Sequence, residues 1–164
     1  MMAEAHGFKS PWIKGTTFNV YLPVSDQKVK EEPTLDQKLI VGSQTILLID
    51  DESIVINVCK EMIEKLGYDV ITAKSGKLAV DMFREKSEDI HLIILDMIMP
   101  GMDGDQTFDL LREINSSIPI LLSSGYSLNS QAKKIMEKGC NGFIQKPFLI
   151  TQLSEKIQNI LDEN

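Results

Sequence analysis

The sequence predicts an α/β fold: a doubly wound, five-stranded parallel sheet with helices on both faces. Three observations carry this. Short apolar runs alternate with helix-period stretches five times between Gln44 and the C-terminus, and alternating strands and helices imply crossover connections and a parallel sheet. The run Ile90–Leu95, His91 aside, is continuously apolar rather than alternating, as suits a strand covered on both faces. Two of the runs stop at carboxylates, Thr45–Ile49 at Asp50-Asp51-Glu52 and Ile90–Leu95 at Asp96. A charged residue has no place inside a doubly covered strand, so these acids belong at carboxyl ends, where open α/β sheets bind ligands.

The elements follow in order. The first strand is Thr45–Ile49. A helix over about Ser53–Leu66 carries Val55, Val58, Cys59, Met62 and Leu66 on one face, and Gly67 stops it. The second strand is Asp69–Ala73. Ser75 caps a helix that buries Leu78, Ala79, Met82 and Phe83. The third strand, Ile90–Leu95, ends where Pro100, Gly101 and Gly104 turn the chain. Asp103 and Asp105 are set to cap a helix over Gln106–Ile114 that buries Phe108, Leu111 and Ile114. The fourth strand is Pro119–Ser123, and the next helix, Asn129–Lys138, buries Ala132, Ile135 and Met136 before Gly139. The fifth strand is Gly142–Gln145, followed from Thr151 by a helix carrying Leu153, Ile157, Ile160 and Leu161. The expected strand order is 2-1-3-4-5.

At 164 residues the chain suits one domain plus a tail. Residues 44–164 form the expected domain. Residues 1–43 hold a possible strand over 16–22, stopped by Pro23, and then a polar, linker-like stretch. The tail's five lysines (9, 14, 28, 30, 38) balance its five acids (4, 26, 31, 32, 36), so the net charge of −7 lies wholly in the domain. An acidic domain argues against direct nucleic-acid binding, which needs a basic surface. No stretch nears the roughly 18 apolar residues of a membrane span, and no apolar leader is visible. A cytoplasmic location without membrane insertion is the expectation. Cys59 and Cys140 lack zinc spacing and read as small buried thiols. His91 reads as structural, and Met97, Met99 and Met102 as loop packing.

Asp96 taken alone could equally cap a loop or the next helix. Asp50 and Asp51 change that, because two strands ending in carboxylates can bring them to one edge. Clustered acids repel one another unless a cation joins them. Oxygen-only ligands without nearby Cys or His point to a hard ion, Mg²⁺ by preference. Lys146-Pro147 adds one cation at the end of the fifth strand.

Four stretches then stand together: Ile-Leu-Leu-Ile-Asp-Asp-Glu (46–52), Leu-Ile-Ile-Leu-Asp-Met-Ile-Met-Pro-Gly-Met-Asp-Gly (92–104), Ile-Pro-Ile-Leu-Leu-Ser-Ser-Gly (118–125) and Gly-Phe-Ile-Gln-Lys-Pro-Phe (142–148). In this order and spacing they resemble the receiver domain of two-component response regulators, with its flavodoxin-like (βα)5 fold. The resemblance implies that Asp96 accepts a phosphoryl group from a phosphohistidine. It implies Mg²⁺ held by Asp50, Asp51, Asp96 and the backbone carbonyl of Ile98. Lys146 would pair with the carboxylate and then with a phosphoryl oxygen, across a Lys146–Pro147 bond that is usually cis in the family. Ser124 would donate its hydroxyl, with Ser123 as the competitor that strand alternation must separate from it. Phe143 would be the switch aromatic. Phosphorylation would alter the surface of the fourth helix, fifth strand and fifth helix, through which a dimer could form. Partners would be a histidine kinase or a histidine phosphotransfer protein. Beyond self-phosphorylation and dephosphorylation no enzyme activity is expected.

Ile98 and Tyr126 stand where side chains influence attack of water on the phosphoryl group. Neither offers a base, which implies a long-lived phosphorylated state. The alternatives are an interaction module, free-standing or a pseudo-receiver, and an aspartate-dependent phosphatase, which would want an Asp at position 98. Finally, Lys14-Gly-Thr-Thr-Phe-Asn-Val-Tyr-Leu-Pro23 resembles the last strand of the ATP-binding domain of sensor histidine kinases. That resemblance favours a hybrid kinase origin over the alternative, a free-standing regulator with a chance β-like tail. The segment is too short to bind ATP by itself.

Overall fold

The computed structural model describes residues 42–125 and 130–163, with Asn19 and Tyr21; of Ser130 and Gln131 only the backbone is described. The chain divides into two units, Met1–Asp36 and Gln37–Asn164; the second carries every element below. The expected strand over 16–22, apart from Asn19 and Tyr21, and Tyr126 lie outside the described residues.

Five strands and five helices alternate: β1 Thr45–Ile49, α1 Ser53–Lys65, β2 Asp69–Ala73, α2 Gly76–Lys86, β3 Leu92–Asp96, α3 Gly104–Ile114, β4 Ile120–Ser124, α4 Ser130–Glu137, β5 Gly142–Gln145 and α5 Ile150–Asp162. All pairings are parallel and the order is β2-β1-β3-β4-β5, as expected. Side chains alternate between the two faces. Leu47, Ile49, Ile93, Leu95, Ile120 and Leu122 join α2, α3 and α4 in one core. Ile46, Leu48, Leu92, Ile94, Leu121 and Ile144 join α1 and α5 in the other.

Some local expectations shift. β3 starts two residues later and retains Asp96, because Asp96 pairs in register with Ser123 and Met97 N donates to Ser123 O at 3.1 Å. His91 lies just before it, exposed, with Nδ1 accepting from Thr45 N at 3.3 Å. In α1 the buried stripe is Ile56, Cys59 and Ile63, continuing into Leu66, while Val58 is half exposed and Ile54 is 79% exposed. That helix is apolar on two sides, so periodicity admitted more than one stripe. In α2, Val80 is buried in place of Leu78. Ser75 caps α2 as expected, accepting from Leu78 N at 3.3 Å.

α1 closes at Gly67, whose φ of 86° lies in the left-handed region that favours glycine. Phe83 fills the space between α2 and the sheet with no exposed surface. Phe83→Ala is expected to cost about 3–5 kcal/mol, the usual range for emptying such a site. Urea unfolding, compared at constant slope, measures it.

Candidate functional site

The carboxyl ends of β1, β3 and β5 converge on one ion cluster. Asp50 follows β1 directly and is only 2% exposed. Its N–H donates to Ala73 O at 3.1 Å, anchoring it to the neighbouring strand. Its Oδ1 accepts from Glu52 N at 2.9 Å, and its Oδ2 accepts from Lys146 Nζ. Asp96 ends β3 and is 6% exposed. Its Oδ2 accepts from Ile98 N at 3.1 Å and its Oδ1 from Lys146 Nζ at 2.7 Å. One ammonium thus bridges two buried carboxylates.

The Lys146–Pro147 peptide is cis, and Lys146 N donates to Ser124 O at 2.7 Å, tying the loop after β5 to the end of β4. Burial pushes the Asp96 carboxyl above its ordinary value; the hydrogen bond and charge of Lys146 oppose this without cancelling it, and the Asp50 charge adds to it. For Lys146, burial alone would depress the ammonium, but its bonds to Asp50 and Asp96 outweigh that and the net direction is up. Lys146 is therefore charged at neutral pH. Asp96 is a carboxylate held in a poorly solvated place beside one fixed cation, which suits a nucleophile toward a group that arrives with its own negative charge.

Asp51 is half-buried beside Asp50. Among the described residues, no three Asp, Glu, His or Cys side chains are grouped so as to hold a metal. The donor chemistry at the strand ends nonetheless fits a hard cation, being carboxylate oxygen alone. In this arrangement the one charge of Lys146 faces two carboxylates, Asp50 and Asp96. Ile98 is half exposed, and its N–H donates to Asp96 Oδ2.

Ser124 ends β4 and is buried. The register, however, sets Ser123 beside Asp96. Phe143 sits on β5 opposite Leu122, partly buried against the α2–α4 core. Met97 and Met99 are buried in that core and Met102 packs against it. Cys59 and Cys140 are buried, and burial pushes both thiols up.

Asp103 caps α3 by accepting from Gln106 N at 2.9 Å. Asp105, also expected to cap, lies inside the helix and pairs with Lys138 at 2.7 Å, since the cap position is already taken. Gly104 plays a part that sequence reading assigned only to turning. A Cβ there would stand 2.7 Å from Met97 Cα and 2.9 Å from Asp96 O. The start of α3 is therefore pressed against the backbone of the phosphoacceptor candidate, with Gly104 N donating to Met97 O at 3.1 Å.

Comparison with known proteins decides the family. The response regulator receiver domain family matches residues 46–158. The chain belongs to that family. This receiver domain is similar to the sensor kinase CckA of Brucella abortus, 29% identical over 159 residues. That match covers 92% of this chain and 17% of the kinase, so the chain spans a small part of that relative. It also resembles the solved receiver domain of the hybrid histidine kinase CckA, with TM-score 0.61 and 31% identity over 71% of this chain and 98% of the other. The CheX–CheY–BeF3–Mg complex of Borrelia burgdorferi shares the fold, with TM-score 0.68 and 24% identity over 71% of this chain and 88% of that one. The five-stranded order of this domain is the flavodoxin-like order of CheY-type domains. Among the described residues, no helix is long and apolar enough to cross a membrane.

Proposed function

We propose that this receiver domain accepts a phosphoryl group on Asp96 from a phosphohistidine. The observation that carries the reading is the buried Asp96 carboxylate paired with Lys146 at 2.7 Å at the end of β3. An Asp96 oxygen attacks phosphorus, the P–O bond forms as the P–N bond breaks, and the released imidazole takes a proton from solvent. Charge accumulates on the phosphoryl oxygens during the transfer. Lys146 meets that charge, and the Ser124 hydroxyl donates to one oxygen. Mg²⁺, when bound, would supply further positive charge against that on the phosphoryl group. Asp50, Asp51, Asp96 and the Ile98 carbonyl are the groups that would hold it.

The phosphorylated state then favours a second packing of Ser124 and Phe143, which changes the α4–β5–α5 surface offered to partners or to a second copy. The domain acts in the cytoplasm, without contacting nucleic acid. The CckA match supports an origin in a hybrid kinase, because coverage of 92% of this chain must extend into residues 1–43, where Lys14–Pro23 resembles a kinase strand. The onward acceptor would be a histidine phosphotransfer protein.

Incubation with acetyl phosphate and Mg²⁺ is expected to add the mass of one hydroxylamine-labile phosphoryl group. The same adduct on Asp96→Ala would remove Asp96 from the mechanism. Mg²⁺ alone is expected to raise the melting temperature, since it binds the folded carboxylates preferentially. Asp51→Asn should abolish most of that rise; an unchanged response would assign the ion to other ligands.

A further inference from the structure

Ser123 is a buried polar side chain that the proposed transfer leaves unused. It is 3% exposed, and among the described residues its Oγ has no hydrogen-bond partner. A hydroxyl buried in that way loses its water without replacement, a destabilising condition that folded proteins seldom keep.

Its place in the sheet indicates what it serves. Leu121, Ile94 and Ile144 all face the α1–α5 core. Two residues further along β4 and β3, alternation returns to the same face, at Ser123 and Asp96. Ser123 is paired in register with Asp96 on one side and Ile144 on the other. Lys146 follows β5, yet its ammonium reaches Asp96 on β3 and Asp50 after β1. In the order β1-β3-β4-β5 that side chain has to pass the end of β4, the strand that carries Ser123. The orphan hydroxyl therefore stands on the strand position in register with Asp96 while bonded to neither Asp96 nor Lys146. Both Asp96 oxygens already have donors, Lys146 and Ile98.

We propose that Ser123 is a positioning residue for Asp96: its hydroxyl donates to the Asp96 oxygen that Lys146 releases when a phosphoryl group draws the ammonium away. Once the P–O bond has formed, the Asp96 oxygen not bonded to phosphorus is a carbonyl acceptor that has lost its ammonium donor, and a buried hydroxyl beside it gains from bonding to it. The hydroxyl is then unpartnered in the resting state and satisfied in the loaded one, so its contribution falls on the loaded state alone. This rests on Asp96 being the acceptor.

The test compares wild type, Ser123→Ala and Ile144→Val, a control on the same face. Thermal midpoints are measured without metal, with Mg²⁺, and with Mg²⁺ plus beryllofluoride as the phosphoryl mimic. Ser123→Ala is expected to keep or exceed the wild-type metal-free midpoint, because no hydrogen bond is lost. Its apparent affinity for beryllofluoride should fall about three- to tenfold, the size of one hydrogen bond. Ile144→Val should lower every midpoint alike and leave that affinity unchanged. Wild-type beryllofluoride affinity in Ser123→Ala would overturn the proposal, as would a lowered metal-free midpoint, which would mean the hydroxyl is already bonded. Absence of any beryllofluoride response in wild type would instead overturn Asp96 as acceptor.

Discussion

Lys146→Ala is expected to destabilise the metal-free domain by about 3 kcal/mol at neutral pH, within the range for removing one partner of a buried ion pair. Lys146 bonds both Asp50 and Asp96 through one ammonium, and those carboxylates are almost wholly buried. Without it, two like charges share a poorly solvated space. Burial already pushes Asp96 upward from 3.8, and loss of the cation removes the main opposition. A carboxyl whose folded pKa lies above its unfolded value adds stability below the unfolded value and loses it as pH rises through the folded one. The deficit of Lys146→Ala should therefore be small near pH ~4 and grow toward neutrality. Urea midpoints of both proteins across that range measure it. A deficit independent of pH would mean that packing of the lysine stem, not its charge, was lost. Phosphoryl acceptance in the variant should slow by about a hundredfold or more, the usual effect of deleting one charge-stabilising donor.

Gly104→Val is the second large effect expected. Its Cβ would collide with Met97 Cα and Asp96 O, both backbone atoms at the end of the central strand. Neither can rotate aside, so either β3 or the start of α3 must move. Overpacking costs about 1–3 kcal/mol where side chains can adjust, and here the upper part of that range applies. The displaced atoms include the carbonyl of Asp96, so acceptance should fall by more than stability alone accounts for. Circular dichroism with acetyl phosphate labelling checks this. A well-folded variant labelled at the wild-type rate would show that the approach of α3 does not position Asp96.

The parts legible in the sequence were those with a one-dimensional signature. Apolar runs that stop at Asp50 and Asp96 marked strands and their carboxyl ends together, and Lys146-Pro147 marked the end of a third. The strand order followed from connectivity rules. What stayed hidden depended on rotation or register. α1 is apolar on two sides, so the stripe read through Val55, Val58 and Met62 differs from the buried one through Ile56, Cys59 and Ile63. Ser123 and Ser124 could not be told apart before the pairing of β4 with β3 set Ser123 beside Asp96. Gly104 looked like a turn residue after Pro100-Gly101, since the backbone it must approach lies seven residues earlier and across a loop. Lys146 was visible as a cation, but its bridge to Asp50 as well as Asp96 needed the strands in place.

The most direct measurement locates the phosphoryl group itself. Wild-type protein is treated with acetyl phosphate, with and without Mg²⁺, reduced with borohydride to convert an acyl phosphate at aspartate into homoserine, digested, and mapped by peptide mass spectrometry. The account predicts homoserine at position 96, only when donor and Mg²⁺ are both present. Homoserine at position 50 or 51, phosphate retained on a serine, or no modified peptide at all would contradict it.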